Sequence, residues 1–79
     1  MKMMTCIELG GACDVQFRAN TFDEIARMSQ QHGKEMLQQG DKAHVQAMNT
    51  MRNLMQTPNG MAEWMAHKRK EFDAKPDGA

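Results

Sequence analysis

The paired glycines Gly10-Gly11, set between Cys6 and Cys13, constrain this chain more than any other feature. Glycine adopts positive φ without steric cost, so a Gly-Gly step between two short extended runs reads as a reversal of direction. Lys2 to Cys6 and Cys13 to Ala19 are those runs. In the second, Val15, Phe17 and Ala19 alternate with Asp14, Gln16 and Arg18, the period of a half-buried strand. In the first, Met4 and Cys6 share a face. The reversal therefore carries the two sulfurs toward each other. A lone two-stranded hairpin is marginal in water, so its apolar face has to pack on the rest of the chain.

From Phe22 onward the chain reads as helix. Thr21 with Glu24 three residues later forms a capping box, and Asp23 and Glu24 suit a first turn. The helix is predicted from about 22 to 39, with Phe22, Ile25, Met28 or Ser29, His32 and Met36 as its apolar stripe and Gly40 as its stop. Gly33 inside it costs about 1 kcal/mol relative to alanine. The run from Lys34 to Gln39 is made of good helix formers, which keeps the helix continuous. Asp41 caps a second helix, about 42 to 56, whose stripe is His44, Ala47, Met48, Met51, Leu54 and Met55. Thr57 as cap and Pro58 at the first helical position start a third, about 58 to 74, with Met61, Trp64, Met65, Lys68 and Phe72 at helical spacing. Residues 76–79 read as a flexible tail. The expected fold class is α+β: a short N-terminal β-hairpin packed on three amphipathic α-helices in a single domain spanning residues 1–75. Short connections make neighbouring helices antiparallel.

A chain of 79 residues buries a modest share of its surface and usually needs a metal, a disulfide or a second copy of itself. Its apolar content is written largely in methionine, ten residues against three leucines. Such side chains fill irregular cores, line adaptable grooves for a partner helix, or offer soft thioether ligands to copper. Ten basic residues balance ten acidic ones, so the counterion-releasing charge that nucleic-acid binding requires is missing. The local cluster His67-Lys68-Arg69-Lys70 is flanked by Glu63, Glu71 and Asp73 and reads as a solvated helix end. No stretch has the length of a membrane span or of a secretory signal, so the expectation is a cytoplasmic protein with no membrane partner and reduced thiols.

Cys6, Cys13 and His32 are the raw material of a metal site. Thiolate and imidazole suit zinc, which takes four ligands in structural sites. His44 is a possible fourth ligand if the second helix folds back, Asp14 is another because it adjoins Cys13, and a water is a third. Six residues between the cysteines is not a standard zinc-knuckle spacing. The plainer alternative makes His32 a core-edge histidine and the cysteines small buried apolar side chains. No phosphate-binding glycine loop, Ser-His-Asp set or carboxylate pair stands out, and the expectation is a non-enzymatic protein.

Met1-Lys2, Cys6, Gly10, Cys13-Asp14, Thr21, Glu24 and His32 together resemble the layout of the small prokaryotic proteins of the domain of unknown function 1059 family. The resemblance covers roughly residues 1 to 37, and the remainder looks like a longer branch with extra C-terminal helices. That family has no assigned activity, so the resemblance implies a residue layout and not a reaction. Its short members carry a further histidine four or five residues after the first, where this chain has Met36 and Leu37. If the family builds a site of two cysteines and two histidines, this chain either lacks one ligand or takes Met36 or His44 in that place. The residues support two functional readings. One is a self-associating interaction module, a homodimer, in which the cysteines and His32 are structural. The other is a protein that binds zinc or another soft cation, or responds to redox conditions, through Cys6, Cys13 and His32.

Overall fold

The computed structural model describes residues 1–78. Strand β1 (Lys2–Thr5) pairs antiparallel with β2 (Gln16–Ala19), with Met4 opposite Phe17 and Lys2 opposite Ala19. Three helices complete the fold, α1 (Phe22–Gln38), α2 (Lys42–Leu54) and α3 (Gly60–Ala74). The α+β arrangement of a hairpin on three helices is thus the one that the sequence patterning predicts.

Local chemistry explains the boundaries. The Thr21 hydroxyl accepts the Glu24 amide at 3.3 Å and opens α1 as the capping box requires. Helix α1 runs unbroken through Gly33, whose bare Cα receives the end of the Met48 side chain; a Cβ there would lie 2.9 Å from the Met48 methyl. Asp41 caps α2 by accepting the His44 amide at 3.1 Å. Helix α3 starts two residues later than the Thr57-Pro58 signal implies. Asn59 occupies the cap position, Thr57 uses its carbonyl to accept the Gly60 amide at 3.2 Å, and the space where a Gly60 side chain would stand is filled by the Leu54 carbonyl and the Thr57 hydroxyl. The chain turns so tightly after α2 that it needs a glycine before the helix can begin.

The core is small. Met4, Leu9, Phe17, Ala19, Phe22, Ile25 and Phe72 pack together with Cys6. Phe22 and Phe72 meet edge to face at 6.0 Å and join α1 to α3, and Arg69 bonds Asp23 at 2.9 Å beside them. Val15 does not extend the buried strand face as its alternation implies. The ladder stops at Gln16, and Val15 is exposed while its carbonyl accepts the Cys6 amide. The molecule is a slab, 34 × 30 × 15 Å, and of the side chains of α2 only His44 is fully buried. Among the described residues no helix is long and apolar enough to cross a membrane.

Candidate metal centre

The connection between the strands, not the strands themselves, carries the cysteines. After β1 the chain makes a single 3-10 turn, Ile7–Leu9, fixed by a reciprocal pair of bonds. The Glu8 amide donates to the Thr5 hydroxyl at 3.2 Å, and the Thr5 amide donates to a Glu8 carboxylate oxygen at 2.9 Å. This is a capping box, Thr5-x-x-Glu8, and that spacing is a legible signal in a segment that the strand pattern claims. Lys75 holds the second Glu8 oxygen at 2.6 Å and ties the end of α3 to the loop. Burial pushes the Glu8 carboxyl up, but Lys75 and Thr5 outweigh it and hold it below the usual range.

Both glycines of the loop have identifiable tasks. Gly10 sits at φ +88°, and a Cβ there would lie 2.6 Å from the Met51 sulfur. Gly11 donates its amide to the Cys6 carbonyl at 2.8 Å and leaves free the space that the Cys6 sulfur occupies. Cys6 is buried, Cys13 half-buried, and both are free thiols.

Helix α1 brings His32 over this loop, and α2 folds back to bring His44. Cys13 Sγ lies 3.3 Å from His32 Nε2, and Cys6 Sγ lies 3.6 Å from His44 Nε2. One donor atom from each of the four residues falls within 4.8 Å of the other three. A tetrahedral ion with bonds of about 2.3 Å to sulfur and about 2.0–2.1 Å to nitrogen spaces a sulfur and a nitrogen about 3.5 Å apart. The two measured separations bracket that value. The donor types therefore suit a tetrahedral d10 cation, and two of the sulfur–nitrogen separations are those of such a site. Two thiolates also neutralise a divalent ion, which removes the cost of burying net charge. Of the other sequence candidates, Asp14 is exposed and stands outside the group, and His44 completes the four without Met36. His67 is exposed on α3 and pairs with Glu71 at 3.2 Å.

The surroundings shift the protonation of these side chains in different directions. Burial pushes the Cys6 thiol up, yet the amides of Cys13 and Ala12 and the His44 ring together bring it below its ordinary value. Burial raises the Cys13 thiol, and the negative charge of a Cys6 thiolate and of Asp14 reinforces that, against the Val15 amide. Asp41 binds His44 Nδ1, which fixes the ring with Nε2 aimed at Cys6. That bond raises the His44 pKa, against the opposing effect of burial. A carboxylate behind a histidine is the usual outer partner of a metal-bound imidazole. His32 is steadied differently, by edge contacts with Phe17 at 5.8 Å and with the His44 ring at 5.2 Å.

Comparison with known proteins adds nothing to this geometry. No family model, no curated protein and no solved structure matches the chain. The functional reading therefore rests on the residues themselves.

Proposed function

We propose that this chain is a small non-enzymatic zinc protein in which Cys6, Cys13, His32 and His44 hold one ion in a structural role. The observation that carries the reading is the convergence of four soft donors, from three separate parts of the chain, within 4.8 Å. The fold gives the ion a task. Helix α2 buries only His44, so it has little apolar surface with which to dock. A metal bond from His44 to the cysteine loop and to His32 would fasten α2 to both the hairpin and α1. When bound, zinc supplies cross-linking energy of the kind that lets small domains fold. The four-residue layout also accommodates the resemblance to the domain of unknown function 1059 family, with His44 in the place that Met36 and Leu37 leave vacant.

The test is native mass spectrometry and elemental analysis of protein purified without chelator, followed by cobalt substitution. One zinc per chain, a tetrahedral cobalt spectrum with thiolate charge-transfer bands, and loss of both in Cys13→Ser and His32→Ala are the expected results. Metal-free protein that titrates two free thiols in the presence of zinc overturns the reading.

Self-association is a second reading, favoured by the apolar side chains of Leu37, Val45, Leu54 and Met61 that stay open to solvent on a thin slab. Sedimentation of the protein over a range of concentrations tests it, and a monomer throughout removes it.

A further inference from the structure

Beside the four-ligand cluster lies a cavity of about 250 Å³ between α1, α2 and α3. Five of the ten methionines line it: Met48, Met51 and Met55 from α2 and its end, Met61 and Met65 from α3. By contrast, Met4 is the only methionine fully buried in the core among the described residues. Methionine here is not chiefly a core-filling residue. Met51 and Met55, like Met61 and Met65, are four positions apart, so each helix presents a pair of neighbouring thioethers. The two pairs border the same space.

The rest of the lining decides which ligand chemistry fits. It contains no lysine, arginine, aspartate or glutamate. A cation inside meets no like charge, and a hard cation such as magnesium or calcium finds no carboxylate. Thioether sulfur selects soft ions, Cu(I) foremost. Neutral ligands favour a monovalent over a divalent ion, because the charge left uncompensated on burial is smaller. Trp64 also lines the space, so its fluorescence reports on what binds there. Cys6, His32 and His44 form part of the wall, so the cavity opens directly onto the cluster, whereas Cys13 is not among its lining residues.

We propose that the methionine-lined cavity is a second metal site, a thioether site for a soft monovalent cation of the Cu(I) class. It rests on the cavity and its donors, and on the docking of α2 that the proposed zinc site provides.

The experiment uses Ag(I), a redox-inert stand-in for Cu(I), titrated into full-length protein carrying ¹³C-methyl methionine. The methyl signals of the five cavity methionines should shift while those of the exposed Met1 and Met28 stay in place, and Trp64 fluorescence should be quenched in parallel. Native mass spectrometry should count one Ag(I) more on the wild type than on Met51→Leu/Met65→Leu, a volume-conserving change that keeps the fold. Zinc counted in the same spectra reports the cluster separately, and a wild type that keeps its zinc yet shows no methyl response to Ag(I) overturns the proposal. Equal Ag(I) counts for the wild type and the double leucine variant overturn the proposal. So does uptake of Ag(I) that displaces zinc and leaves the cavity methyl signals unmoved.

Discussion

Asp41 and His44 are bonded twice, through the His44 amide and through its ring Nδ1, so one carboxylate both starts α2 and aims Nε2 at Cys6. The two tasks are separable by substitution. Asp41→Asn keeps a good cap residue and loses the charge behind the imidazole, whereas Asp41→Ala loses both. Zinc affinity should fall by about 10- to 100-fold in each variant, the usual cost of removing an outer partner of a ligating histidine. Only the alanine variant should also lose about 1 kcal/mol of stability in the metal-free state. Competition with a chromophoric chelator, and urea melts of the metal-free protein, separate the effects. Unchanged zinc affinity in both variants would show that Asp41 does not orient the ring.

The glycine pair predicts a contrast of its own. Gly11→Ala forces a Cβ into the space of the Cys6 sulfur, and the sulfur has to swing away from its partners. Gly10→Ala places a side chain at φ +88° and against Met51, costing about 1 kcal/mol or more in strain without touching a ligand atom. Cobalt spectra should therefore be lost or distorted in Gly11→Ala and retained in Gly10→Ala, while both variants unfold at lower urea than the wild type.

These two positions mark the reach of sequence patterning in this chain. The Thr21–Glu24 box, the Asp41 cap and the hairpin reversal are local signals, and the structure realises each of them. Thr5 and Glu8 are also a local signal, but their spacing lies where strand alternation dominates the pattern, and the alternation masks the capping box. Val15 continues the alternation in sequence, yet the ladder ends one residue before it, and pairing rather than pattern sets its exposure. The meeting of Cys6 with His44 spans 38 positions and depends on the angle at which the turn at residues 39–41 sends α2 back. No spacing rule encodes that angle, so residue spacing alone does not rank Asp14, Met36 and His44 as fourth ligand.

The Glu8–Lys75 contact predicts an acid-sensitive part of the stability. The Glu8 carboxyl is depressed in the folded protein, so its contribution is complete above the unfolded glutamate value of about 4.3 and disappears as pH falls through the folded value. Glu8→Gln keeps the shape and removes the charge. The variant should be less stable by about 1 kcal/mol at neutral pH, a modest figure because the pair is partly solvated. The gap should close on acidification below pH of about 4. Urea melts of the metal-free wild type and variant across pH measure it, and a gap that persists at low pH assigns the effect to packing instead of charge.

Metal removal should be felt unevenly along the chain. The hairpin, α1 and the C-terminal half of α3 share the aromatic and aliphatic core built on Met4, Phe17, Phe22, Ile25 and Phe72, which needs no ion. Helix α2 has less of that support, since His44 is its one fully buried side chain and Met48 and Met51, which reach Gly33 and Gly10, stay half-buried beside a cavity. Chelation should leave slow amide exchange at Met4, Phe17 and Ile25 nearly intact while protection across 45–54 collapses toward that of a free helix. A 13-residue helix released from its dock is close to the length at which isolated helices become marginal in water. His44→Ala should reproduce the chelated pattern without chelator, because it removes the same fastening from the other end. Hydrogen exchange read by mass spectrometry on zinc-loaded, chelated and His44→Ala protein makes the comparison. Uniform loss of protection through the hairpin and all three helices would mean that the ion holds the whole fold, not the docking of α2.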